Sequence, residues 1–508
     1  MKKIIFITVL ITSYFISNAQ VETVIPFSKT VTPIFKDKKR STKLSFTTKD
    51  NDGGFFIGRK YRKGYYIDHY NSDLKLLKSY DFNLKMNKSM DKIITAFISG
   101  DNLCLIERFY NRNNKSIEFY AHTSSKEKFS FSKKKLLSIL KKEIPKTSIF
   151  FGDYKIDGDQ YGDIQFSEKE EFFTISFDIK GNKEEKQRFF TFDNALNKIY
   201  QTTFVRAIKD RKFKLQNINI DTKNGDVYLL GKAYTKQKKK KRKGGKYQYE
   251  IHKITKKRNT SIVINSGEKH IGSLQIKSNE DKKICVGFYS EKRDSQFKGV
   301  VVFKLNGDNT KIEKSNYVPF DNQFLIDKYG KEKQKELRNL VVRDVFFTKD
   351  NHIIINAEEF YIRVVHHKDM SPTYIYNYKD IVSVNINEDG KLIWARNINK
   401  KQVGGNSYFF SYISFFDNNT NYFIFNASKT LKKKRNNRYE FKASISGLQN
   451  IYIASIDGSK DIKYHKFYDR KDANVNFDIQ NAVMSKDGKS VILQGKKGSK
   501  KRILKISF

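Results

Sequence analysis

Eight times along this chain a short run of aromatic and β-branched residues stops at a turn built largely from Asp, Asn, Ser, Lys and Gly, then restarts as a second such run. The turns fall at residues 50–54, 100–102, 167–171, 223–226, 279–282, 349–352, 417–421 and 486–489. Period-two alternation on both sides of such turns is the pattern of antiparallel strands joined by tight hairpins. Equivalent turns recur at roughly 50 to 70 residues, the spacing of a four-stranded unit carrying loop insertions. A unit of that size cannot bury its apolar face alone, so its neighbours must cover it.

The sixth and seventh repeats show the plan most fully. Strands are expected at 340–347, 352–360, 380–387 and 392–398, with Glu388-Asp389-Gly390 closing the last hairpin, and again at 411–416, 422–426, 450–456 and 462–467 around Asp457-Gly458. The eighth repeat offers only 478–484, 490–494 and 502–508, whereas residues 21–27 form an extended stretch with no repeat of their own. Within that stretch Val24-Ile25-Pro26-Phe27 echoes Tyr317-Val318-Pro319-Phe320, a fourth strand. The sequence therefore predicts an all-β, closed β-propeller of eight four-stranded blades, with seven as the alternative. Its N-terminal strand completes the last blade, because radial closure leaves only short, protected edges. Two amphipathic helical insertions are expected. One spans 132–143, with Leu136, Leu137, Ile139 and Leu140 on one side and Pro145 as its stop; the other spans 321–339, with Phe324, Leu325, Tyr329 and Leu337.

Lys2 and Lys3 precede an apolar run at 4–16 that ends in Ser17-Asn18-Ala19. This is the order of a secretory leader, with cleavage expected after Ala19, and the run is shorter than the ~18 residues of a membrane span. The expected organisation is a signal peptide at 1–19 and a single domain at 20–508, exported to the periplasm or beyond the cell of a Gram-negative-type bacterium. Cys104 and Cys285 lie inside strands of different repeats and are expected to be buried, unpaired fillers.

Asp380-Ile381-Val382-Ser383-Val384-Asn385-Ile386-Asn387-Glu388-Asp389-Gly390-Lys391-Leu392-Ile393-Trp394-Ala395-Arg396 is followed by Lys400-Lys401-Gln402, Ser407-Tyr408 and Tyr422-Phe423-Ile424-Phe425-Asn426. Over residues 374–426 this resembles uncharacterised exported propeller proteins of the Bacteroidetes type. The resemblance implies an envelope or secreted propeller and brings no activity with it. Quinoprotein docking motifs need a tryptophan in nearly every blade, and this chain has 1 Trp. Phosphate loops, paired metal-spaced cysteines and nucleophile elbows are absent, so no cofactor is expected.

Lys and Arg number 99 against 55 Asp and Glu, a net charge of +44. Such an excess suits a polyanionic partner, although lysine also blunts exposed strand edges and follows from an AT-rich coding sequence. The charge concentrates in two connectors. Lys238, Lys239, Lys240, Lys241, Arg242 and Lys243 join the second and third strands of repeat four; Lys432, Lys433, Lys434 and Arg435 join the same strands of repeat seven. Connectors at equivalent positions emerge on one face, where Tyr374 and Tyr376 of repeat six would add aromatic walls. The expected function is binding or scaffolding of an anionic envelope or extracellular polymer, or of a protein partner, by a monomer; nucleic acid is not the expected partner of an exported chain. The alternative is a carbohydrate-active enzyme with carboxylates at the central funnel. Two weaker metal candidates are His366 with His367, and a calcium-like loop of Asp157, Asp159, Asp163 and Glu168.

Overall fold

A meander of strands with an apolar face needs a second surface, and here each meander finds it on the next. The structure, a computed structural model, describes residues 26–38, 43–84, 92–145, 161–181, 183–235, 247–279, 282–291, 296–332, 337–367, 372–405, 408–428, 431–436, 438–443 and 447–508. Among the described residues the strands form eight sheets, six of them four-stranded. The first comprises Lys43–Lys49, Phe55–Tyr61, Gly64–Tyr70 and Leu76–Asn83 in simple antiparallel order. First strands of neighbouring sheets lie side by side at the axis: Lys43–Lys49 against Lys92–Ser99, Phe213–Ile220 against His270–Asn279, and His270–Asn279 against Leu340–Phe347. This is the all-β propeller that the repeats predict.

A separate apolar cluster fills each seam between neighbouring sheets. Between the second and third, Phe97, Cys104 and Phe119 meet Phe173, Phe177 and Phe192. Between the eighth and first, Ile492 and Ile503 meet Phe55, Ile57 and Tyr70. Each fully buried side chain of this kind contributes about 1.5–3 kcal/mol. Cys104 and Cys285 are free and buried in different seams, as expected.

The ring is closed by the N-terminus. Ser28–Val31 pairs antiparallel with Lys500–Ser507, from Ser28 opposite Ser507 to Val31 opposite Leu504, and so supplies the outer strand of the last sheet. Residues 21–25 of the expected strand lie outside the described residues, and the pairing begins one residue after Phe27. Phe27 instead packs edge-on to Phe508, Phe415 and Tyr422, at centroid distances of 5.6, 6.0 and 4.9 Å, plugging the seam between the seventh and eighth sheets.

Two local expectations need correction. Residues 132–143 form no α-helix: Ser132–Leu140 is the fourth strand of the second sheet, followed by a 3-10 turn at Lys141–Glu143. A bulge opposite Phe119 and Tyr120 shifts the register at Leu136. Leu137 and Ile139 stay buried while the extra residue gives the spurious helical spacing. The second expected helix is shorter than 321–339. Asn322–Tyr329 is capped by the Asp321 carboxylate, which accepts from Phe324 N at 2.9 Å, and ends at Gly330 in the left-handed region, φ 76°. Leu337 has already left the helix and bridges Phe297.

The first strands of the first, second, fourth, fifth and sixth sheets all carry a register shift against their second strands. At two of these shifts a glycine on the second strand makes room for a ring from the first. A Cβ on Gly58 would lie 2.1 Å from the Phe46 ring, and one on Gly231 would lie 1.9 Å from Phe213.

Beyond the closing strand, Asp37 joins Arg59 of the first sheet at 3.0 Å and also Lys501 of the eighth; Arg59 in turn reaches Asp68. All four side chains are at most 5% exposed. Removing one partner of such a cluster strands charge away from water, so Asp37→Ala should lower the unfolding free energy by about 3–5 kcal/mol. Urea titration at pH 7 measures this; a midpoint equal to wild type would show that the cluster does not hold the seam.

Candidate functional site

First and third strands run one way, second and fourth the other. The loops between second and third strands therefore leave the ring on the same face as the connectors between sheets. On that face the sixth and seventh sheets build an added layer. The hairpin of Ile353–His366 and Pro372–Ile386 extends past its neighbours, Lys400–Gly404 pairs with it, Tyr439–Ala443 joins Lys400–Gly404 in parallel, and Lys432–Lys433 forms the far edge. Tyr376 lies opposite Gly404 in this layer, three strand spacings from Lys432 and Lys433, or about 14 Å at ~4.8 Å per strand.

The layer brings the predicted residues of repeats six and seven together, though not all of them face solvent. Lys432, Lys433, His366 and His367 are exposed. Tyr374 is half-buried. Tyr376 packs into a satellite cluster with Phe360, Tyr378 and Phe410, so it is a wall of the layer's own core. Lys434 is held by Glu440 at 2.8 Å. The carbonyl of Arg435 accepts from Arg438 Nε at 3.1 Å, and the same guanidinium donates to the Lys328 carbonyl at 2.9 Å, docking the connector on the C-terminus of the Asn322–Tyr329 helix. Lys238, Lys239, Lys240, Lys241, Arg242 and Lys243 lie outside the described residues.

Among the described residues His366 and His367 belong to no cluster of metal-ligating side chains. The ring of His367 meets Thr373 Oγ1 at 2.7 Å, while Glu358 is taken by Lys400 and Arg343 and Glu359 by Lys328. Asp157 and Asp159 lie outside the described residues; Asp163 opens the strand Asp163–Phe166 and Glu168 stands in the turn that follows it.

A carboxylate triad that sequence reasoning missed does form. Asp178, Glu185 and Asp210 each bring one oxygen within 4.8 Å of the others, and among the described residues this is the one such group. Burial, reinforced by Asp178 and Asp210, pushes Glu185 up to about 8. A proton therefore offsets the repulsion at neutral pH. The only sequence signal was the placement of Asp178 and Glu185 across one hairpin.

Cavities open on both faces of the ring. On the loop face, a space of about 570 Å³ lies where the seventh, eighth and first sheets meet, lined by Tyr408, Phe409, Leu44, Gln494, Lys496 and Lys497 among others. On the opposite face, a funnel of about 1030 Å³ spans the axis. Glu168, Lys169 and Glu171 line one wall, while Phe346, Phe347 and Phe416 come from the sixth and seventh sheets. Among the described lining residues the carboxylates thus come from one turn. Deeper, burial pushes the Asp344 carboxyl up, and Ser414 Oγ donates to it at 2.6 Å.

No family model and no curated protein matches the chain. Among solved structures it is similar to dipeptidyl peptidase 4 of Porphyromonas gingivalis, at 10% identity and TM-score 0.43, covering 90% of this chain and 56% of that one. It is similar also to Chaetomium thermophilum Sqt1 bound to the N-terminus of ribosomal protein L10, at 8% identity and TM-score 0.42, over 93% and 98% of the two chains. A third is the β-propeller domain of the Trilobed protease from Pyrococcus furiosus, at 11% identity and TM-score 0.35, over 85% and 99%.

Because the folded Glu185 carboxyl titrates near 8 and an unfolded one near 4.5, its contribution is complete below about pH 4.5 and is lost as pH rises through 8. Glu185→Gln keeps the acceptor for Gln187 and removes this loss. Thermal melts should coincide near pH 4.5 and diverge in the variant's favour by about 2–4 kcal/mol at pH 9; parallel pH profiles would refute the assignment.

Proposed function

We propose that this chain is an exported binding protein that holds an anionic polymer of the envelope or extracellular space on the loop face of the ring. The observation that carries the reading is the added layer, in which one sheet links the sixth blade to the connector of the seventh and includes the strands that hold His366, Tyr374, Lys432 and Lys433. The connector between Val227–Ala233 and Gln248–Ile254, whose sequence holds Lys238 to Lys243, starts and ends at the equivalent positions of the fourth sheet. A net charge of +44 supplies long-range attraction to any polyanion. Export follows from the leader-like residues 1–19.

The test is binding of the purified mature chain to polygalacturonate, anionic lipid vesicles, duplex DNA and neutral dextran across a salt series. Polygalacturonate should bind and dextran should not. Affinity should fall by about tenfold or more between 50 and 200 mM salt, the mark of released counterions. The double variant Lys432→Glu, Lys433→Glu should weaken binding at least several-fold with an unchanged melting temperature. Affinity indifferent to salt would remove the polyanion reading, and salt-dependent binding to vesicles or DNA alone would remove the polysaccharide.

A further inference from the structure

We propose that the cavity between the seventh, eighth and first sheets is a subsite for a single acidic pyranose unit, such as a hexuronate, of the polymer held on that face. The inference rests on the binding function proposed above and adds the chemistry of the recognised unit.

Gln494 is the unsatisfied polar group at this cavity. Its side chain sits in the second strand of the eighth sheet, is 7% exposed, and lines the cavity. Among the described residues neither its Oε1 nor its Nε2 has a hydrogen-bond partner. A buried primary amide left with neither donor nor acceptor satisfied is costly, and native structures keep such groups for a reason. The neighbouring polar groups are otherwise engaged. Asn476 Oδ1 accepts from Gln449 N at 2.7 Å and its Nδ2 donates to the Gly447 carbonyl at 2.9 Å. The Asp478 oxygens accept from Asn481 N and Nδ2 at 3.0 and 2.9 Å. Gln494 is therefore the amide with unused hydrogen bonds at the cavity wall; its oxygen and nitrogen lie just beneath the surface, and once the side chain turns outward an amide that both donates and accepts is suited to vicinal hydroxyls.

The remaining walls define the ligand's other two properties. Tyr408, Phe409, Leu44 and Leu448 give an apolar wall, which suits the C–H face of a pyranose ring. Lys496 and Lys497 line the same space, and Lys501 stands at its base with its ammonium on Asp37. Burial, together with repulsion from Lys501, holds Lys496 below its ordinary range. The positive potential of Lys496 and Lys497 favours an anionic ring over a neutral one in this space. At about 570 Å³ the space falls within the range of small-ligand sites and opens on the face that carries the added layer, so a chain can continue out of it.

The test uses the full mature chain, trigalacturonate as acidic probe and a neutral galactose trimer as control, by isothermal titration calorimetry at low salt. The acidic trimer should bind at least tenfold more tightly than the neutral one. Gln494→Leu should cut that affinity at least tenfold while leaving the melting temperature equal or higher, because it removes an unsatisfied buried amide; Lys496→Met should cut it similarly. Equal affinity of wild type and Gln494→Leu for the trimer, or equal binding of acidic and neutral trimers, overturns the subsite. If polygalacturonate binds but its affinity is untouched by Gln494→Leu, the subsite fails and the polymer-binding function stands. If neither polymer nor trimer binds, both fail.

Discussion

Antiparallel pairing of Ser28–Val31 with Lys500–Ser507 is the constraint on which the rest of this structure depends. In a ring of sheets every seam is shared, so a chain with eight sheets has eight clusters only if its ends meet. Unclosed, the first and eighth sheets would each show water an apolar face, one carrying Phe55, Ile57 and Tyr70, the other Ile492 and Ile503. The four ladder positions of the closing strand are few for that task. Phe27 on one side and the Asp37 cluster on the other extend the fastening along both ends of the strand. The loop-face cavity exists for the same reason, since Leu44 belongs to the first sheet and Gln494 to the eighth.

Within the ring, the recurrent register shifts of the first strands serve a second constraint. Strands at the axis must twist strongly to converge, and a bulge adds twist while re-aiming the side chains that follow it. The ring of Phe46 over Gly58 and that of Phe213 over Gly231 show how tightly the first and second strands approach at this level. Any side chain in place of either glycine would push the first strand toward the axis and its neighbours there.

The order of strands was legible because it is local. Leu392–Ile398 and Asn450–Ile456 end where the alternation ends, and their Asp-Gly turns have the chemistry that two tightly linked strands require. The failure at 132–143 has an equally local cause, since one bulge converts a strand's alternation into apparent helical spacing. The added layer could not be read, because Lys400–Gly404 and Tyr439–Ala443 are short, distant in sequence and paired in parallel. That connectors at equivalent positions leave the ring on one face was readable from topology, but not that Tyr376 turns into a cluster of its own or that Arg438 is tied to a helix end. Gln494 left a faint trace as a lone amide after Val491-Ile492-Leu493, and nothing local could say that two other sheets would enclose it.

The distribution of charge explains how so basic a chain can fold. Buried lysines are tolerable only when paired. Among the described residues the three buried ones obey this: Lys283 meets Asp221 at 3.1 Å, Lys400 meets Glu358 at 2.6 Å, and Lys501 meets Asp37. Buried carboxylates follow the same rule. Burial alone would raise Glu250, but hydrogen bonds from His252, Arg206 and Gln248 outweigh it and hold the group at about 2. With these interior charges matched, the excess falls to solvent-facing positions, where its self-repulsion is screened by salt. A polyanion laid on the loop face would relieve that repulsion, so the surplus that opposes compactness in the free protein becomes attraction in the complex.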